Sequence, residues 1–243
     1  MIRLLLVISV TLLFNAQAFA AACPSSNTAT ATGANFNDNC TVTDATTGTV
    51  IQLNFFNGFN SATVVSAIDG NNGTTVGAQR KLSFIKAAEI IAAQVDTPQA
   101  LLVDADFNNL SCDAGSATLG SAGAVTNLGN VTPSAGVLNT FYPVGLINAI
   151  GNNDYDVNSD ITAQFNANIG TTGCLQSSNG WYYGFGTPAA NYIGFTTVLL
   201  HEITHGLGFA SLTNATTGAK ASGIILIFYS PLLTALTGQW QQA

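Results

Sequence analysis

Charge is scarce in this chain: Lys, Arg, Asp and Glu make up 7% of its 243 residues. Five basic residues stand against twelve acidic ones, a formal net charge of −7. A chain so poor in cations offers no footprint for nucleic acid or anionic lipid. Beyond the N-terminal region no apolar run approaches the 18 residues of a membrane span, and the run 224–229 is only core-sized, so no transmembrane helix is expected. Methionine occurs once, at Met1, and histidine only twice. With so few charges, solubility must come from amides and hydroxyls, Asn, Thr and Ser being abundant.

The N-terminus reads as a signal peptide over residues 1–22. Arg3 supplies the positive start, residues 4–14 an apolar stretch too short to span a bilayer, and Ala18-Phe19-Ala20 an A-x-A cleavage signal. The mature chain would begin at Ala21, or at Cys23 if Ala20-Ala21-Ala22 is the signal used. A lipid anchor on Cys23 is a third option, with Ala20 a weak match to the usual lipobox. Removing Arg3 leaves four basic and twelve acidic residues, a net charge of −8. The expected location is therefore secreted, extracellular or periplasmic. In that oxidising setting four cysteines suggest two disulfides. Three connectivities are possible, and the expected pairs are Cys23 with Cys40 and Cys112 with Cys174; no C-x-x-C spacing favours a metal.

Both histidines and one of the two glutamates fall in one five-residue window, His201-Glu202-Ile203-Thr204-His205. On a helix, positions i and i+4 share a face, so His201 and His205 can point imidazole nitrogens at one zinc ion. Glu202, rotated by about 100°, places its carboxylate beside that metal, where it can take a proton from a zinc-activated water. Leu199, Ile203 and Leu207 would pack this helix on a core, with Thr197, His201 and His205 on another face. Thr196 or Thr197 would cap its start, and Gly206 or Gly208 its end.

Along the chain, residues 23–75 read as β structure and loops, with a strand at 50–56 and turns at Asn57-Gly58 and Asn71-Asn72-Gly73. Residues 77–95 carry a helical period through Leu82, Ile85, Ala88, Ala92 and Val95. Residues 101–107 alternate as a strand with one buried face, and 161–165 form another strand candidate. The Gly- and Ala-rich stretch 114–151 shows no period and reads as loops with short strands. The order makes one α+β domain over 23–243 with a mixed sheet.

This order, together with Gly73-Thr74-Thr75-Val76-Gly77, Leu119-Gly120-Ser121-Ala122-Gly123, Trp181-Tyr182-Tyr183-Gly184 and His205-Gly206-Leu207-Gly208-Phe209, resembles the zincin metallopeptidases, in particular secreted bacterial zincin-like proteins. The resemblance covers residues 35–240. It implies a zincin-like fold with a backbone helix and an active-site helix, and a secreted zinc-dependent endopeptidase acting on a peptide or protein substrate. It also implies an edge strand that pairs with substrate; by that analogy residues 160–165 would line the cleft, with an ordinary core strand as the equal alternative.

The chain departs from the pattern after the metal helix. The metzincin form H-E-x-x-H-x-x-G-x-x-H has Gly208 in place but Ser211 at the third ligand position, and the Met-turn is absent. No Asp, Glu or Cys follows Glu202, and Tyr229 is a poor substitute. The third zinc ligand would then be an upstream carboxylate, or have been carried by the missing part of a truncated or altered end, since 38 residues follow His205, few for a zincin lower domain. The alternative is a catalytically inactive zincin scaffold serving as an envelope or extracellular binding protein. A second metal reading concerns Asp154, Asp156, Asn158 and Asp160, whose alternate oxygens resemble a calcium loop. The sixth-position Gly and the final Glu are missing, so a polar turn is the preferred reading over Ca2+.

Overall fold

The computed structural model describes residues 19–22, 38–129, 131, 141–210 and 216–217, with the side chains of 19–22 and 38 excepted. The central element is a six-stranded mixed sheet. Its strands are β1 (Phe19–Ala22), β2 (Asp38–Asp44), β3 (Val50–Phe55), β4 (Leu101–Asn108), β5 (Gly120–Ala124) and β8 (Ile161–Asn166), in the spatial order β1-β2-β3-β4-β8-β5. Strands β3, β4 and β8 run parallel, while β1, β2 and β5 form antiparallel pairs at the two sides. Cleavage after Ala20 would divide β1.

Strict alternation explains the sheet. Ile51, Leu53 and Phe55 of β3, Val103, Ala105 and Phe107 of β4, and Ile161, Ala163 and Phe165 of β8 are all buried on one face. The other face carries Asn54, Asp104, Thr162 and Gln164, with the Asn54 amide donating to Asp104 Oδ1 at 2.8 Å. The apolar face is covered by α1 (Val76–Ala92) and α3 (Phe195–Gly206), whose Phe84, Ala88, Phe195, Leu199 and Ile203 complete a single core. Phe195 lies against Phe84, Phe107 and Phe165 at ring separations of 5.1–6.0 Å, so the first residue of α3 is locked into the aromatic centre.

Helix α1 starts where Thr75 Oγ1 accepts from the Ala78 amide at 3.2 Å, and ends three residues short of the expected Val95. The expected strands at 50–56, 101–107 and 161–165 are present with bounds differing by one residue. The expectation for 114–151 fails in part. The stretch 114–151 contains, besides β5, β6 (Asn127–Gly129) and β7 (Phe141–Pro143), a helix α2 (Val144–Gly151). Two turns are too short to display a period, and no side chain caps α2. It forms because Leu146 and Ile147 bury against Tyr142 and Leu128, while Asn152 closes it at φ 46°.

Cys112 and Cys174 are disulfide-bonded, with Cα atoms 5.1 Å apart, and join the connection entering β5 to the one leaving β8. Cys40 is also disulfide-bonded, while its expected partner Cys23 lies outside the described residues. Among the described residues no cysteine is free, and no helix is long and apolar enough to cross a membrane.

Candidate functional site

The H-E-x-x-H segment occupies the last turn and a half of α3. The helix is placed from both ends. At its start Gly194 belongs to β10 (Ile193–Gly194), which pairs with β9 (Trp181–Tyr182), and Phe195 enters the core. The expected Thr196 or Thr197 cap is not formed: Gly194 is the cap residue, no side chain bonds the first turn, and Thr196 Oγ1 is buried without a partner. Tertiary packing of Phe195 replaces the cap. At the other end Gly206 lies so close to β8 that a Cβ would approach Ile161 Cγ2 to 2.5 Å, so glycine is needed there for helix and sheet to meet. Gly208, at φ +108°, then turns the chain and brings the Phe209 amide to the Thr204 carbonyl at 3.1 Å.

Leu199 and Ile203 face the core as the pattern predicts, leaving His201 exposed and His205 half-buried on the opposite side. The two imidazoles converge: Nε2 of His201 lies 3.1 Å from Nε2 of His205, with the rings at 89° to each other. Two nitrogens on one tetrahedral zinc at about 2.0–2.1 Å would be about 3.3 Å apart. His205 Nδ1 bonds the carbonyl oxygen of Phe209. A carbonyl can only accept, so Nδ1 carries the proton, and in the neutral ring Nε2 keeps its lone pair for a metal. The pair therefore fits two zinc ligands.

Glu202 reaches β5 and is 9% exposed. Its Oε2 accepts from the Ala122 amide at 3.0 Å, and its stem passes over Gly120, where a Cβ would come within 3.1 Å of Glu202 Cγ. Oε1 has no hydrogen-bond partner among the described residues and is not sealed from solvent.

The strand beside this carboxylate corrects the expected cleft lining. β8, which holds residues 161–165, is internal between β4 and β5, so it has no free edge. Among the described residues the outer strand on this side is β5. Its parity follows from three bonds. Asn166 donates to the Leu119 carbonyl and Val125 to the Asp160 carbonyl, both toward β8, whereas Ala122 donates to Glu202. Gly120, Ala122 and Ala124 thus turn their backbone groups off the sheet.

Asp160 is a structural residue: its carboxylate accepts from the Leu102 amide at 2.8 Å and from the Asn148 side chain at 2.9 Å. Burial pushes its carboxyl above the usual range, partly offset by the Leu102 bond. Asp154 and Asp156 are engaged in local turns, accepting from the Asp156 and Asn158 amides. Among the described residues no group of three or more His, Cys, Asp or Glu side chains is gathered as for a metal, and Ser211 and Tyr229 lie outside them.

The contributions of Ala122 and Phe209 were not legible in the sequence, because both act through the backbone. The Gly-rich character of 119–123 was the only signal. No known family model matches the chain, and no curated protein or solved structure is significantly similar to it.

Proposed function

We propose that this protein is a secreted zinc-dependent endopeptidase built on a zincin-like fold. The observation that carries the reading is the convergence of His201 and His205 Nε2 at 3.1 Å, with the His205 tautomer set by Phe209. His201 and His205 would hold zinc, which supplies Lewis acidity to a water and to the substrate carbonyl. Glu202 is the general base. Its open Oε1 takes the proton from the attacking water and returns it to the leaving amine as the peptide C–N bond breaks. Gly120, Ala122 and Ala124 leave an edge of small residues along which an extended peptide can lie. The Cys112–Cys174 bond and the N-terminal signal support export to an oxidising compartment.

Metal analysis of the exported, purified protein tests the reading. Close to one equivalent of zinc, together with hydrolysis of a peptide library, is expected. Less than about a tenth of an equivalent at neutral pH would overturn it, since a working site holds its metal tightly.

A second reading, a zincin-like scaffold that binds without catalysis, is favoured by one observation: no third ligand accompanies the two histidines among the described residues. Zinc uptake without hydrolysis of any peptide would select it.

A further inference from the structure

Edge-strand amides ordinarily face solvent or a partner chain, yet one amide of β5 is occupied from within the molecule. We propose that the backbone N–H of Ala122 is a positioning group for the general base: it anchors Oε2 of Glu202 and leaves Oε1 as the single oxygen that exchanges the proton. The inference rests on the peptidase reading above and adds to it a residue whose side chain has no part in the chemistry.

Three features of the structure support this assignment. The bond is a charge-assisted one, 3.0 Å long, between two elements separated by 80 residues, so it is a product of the tertiary fold. Glu202 is 9% exposed as a residue, and its carboxylate makes no other hydrogen bond among the described residues, so this amide is the polar contact that sets its rotation. Gly120 packs closely beside its stem. A Cβ there would press on Glu202 Cγ at 3.1 Å and on Phe165 at 3.0 Å, and Phe165 is held in the aromatic core. The carboxylate therefore sits against β5 with its stem packed on Gly120 and one oxygen tied. A carboxylate with both oxygens free would sample several rotations, and misplacement by about 1 Å can cost about 100-fold in rate.

The amide points off the sheet, so proline at this position removes the donor without breaking the β5–β8 ladder. With zinc bound, Ala122→Pro should lower kcat at least about 10-fold while KM stays within about 3-fold. Ala124→Pro removes a neighbouring outward amide that no carboxylate uses. It should act on KM and leave kcat within about 3-fold. A rise in KM with unchanged kcat for Ala122→Pro would overturn the proposal, because it would assign the amide to substrate. Should the proline variant not fold, lactic acid in place of Ala122 deletes the same N–H without a ring.

Amide hydrogen exchange tests the contact independently of activity. Exchange at Ala122 should be slow in the wild type and at least about 10-fold faster in Glu202→Ala, with Ser121 and Gly123 unchanged. Equal exchange at Ala122 in both proteins would exclude the anchor. Confirmed exchange behaviour in a zinc-loaded protein that hydrolyses no peptide would instead reject the peptidase reading while retaining the contact.

Discussion

Nδ1 of His205 is bonded to the carbonyl oxygen of Phe209, four residues on, so the turn that ends α3 also fixes the face that His205 shows to His201. The helix terminus and the candidate metal site are one structure. The last turn of α3 cannot fray without releasing the imidazole, and Gly208 at φ +108° is the residue that lets the chain fold back. A Cβ at 208 would meet Pro143 Cγ at 3.1 Å in a backbone conformation unfavourable to other residues. Gly208→Val should therefore weaken zinc binding by about 10-fold or more, the scale on which outer-shell groups act. Competition with a chromophoric chelator measures this, and an unchanged affinity in a folded variant would show the Phe209 bond to be incidental.

Glu202→Gln keeps the size of the side chain and removes its basicity. Hydrolysis should fall by about 100-fold or more while zinc content is retained. Residual activity near the wild-type level would assign the proton transfer to another group.

Ser211 stands where a third histidine completes the metzincin spacing. Because Gly208 already turns the chain and Phe209 packs its carbonyl on His205, Ser211→His should raise zinc affinity by about 10-fold or more. No gain in a folded variant would mean that the chain beyond Phe209 leads away from the two imidazoles.

The Cys112–Cys174 bond closes a loop of 62 residues that includes both β5 and β8, the two strands under α3. Replacing both cysteines with serine should cost about 2–4 kcal/mol of stability. Chemical denaturation reads the loss, and non-reducing peptide mapping should recover this pair together with one containing Cys40. Free Cys112 and Cys174 thiols in exported protein would contradict the structure.

The dependence of stability on acid follows from four carboxyls. Asp44, Asp113 and Asp156 are held below the usual range, chiefly by the amides of Thr47, Gly115 and Asn158 respectively. Each contributes stability that is present above its unfolded pKa of about 3.9 and is lost as pH falls through the lower folded value. Asp160, raised by burial, works the other way: its contribution is present below about pH 3.9 and is lost as pH rises through the folded value. The three lowered carboxyls thus favour weakening below about pH 4, and Asp160 opposes it. In thermal melts Asp113→Asn should flatten that acid limb, and an unchanged slope would show the Gly115 and Ser116 bonds to be irrelevant.

The sequence by itself determined the elements whose period is long enough to be read. β4 alternates over eight residues, and the pattern of Leu199, Ile203 and Leu207 fixed which side of α3 meets the core, leaving His201 and His205 on the other. The spacing of those two histidines determined that their nitrogens could meet. Tertiary structure decided everything that depends on backbone groups brought from afar. Helix α2 forms on a two-turn stretch only because Tyr142 and Leu128 cover it. β5 became the edge strand, in place of the expected 160–165 segment, through its antiparallel pairing beyond β8. Glu202 found its hydrogen-bond partner among the described residues 80 positions away, on an alanine whose side chain carries no chemistry. An amide hydrogen is present at nearly every residue, so its use is invisible in sequence; only the packing of α3 across Gly120 selected the one at Ala122.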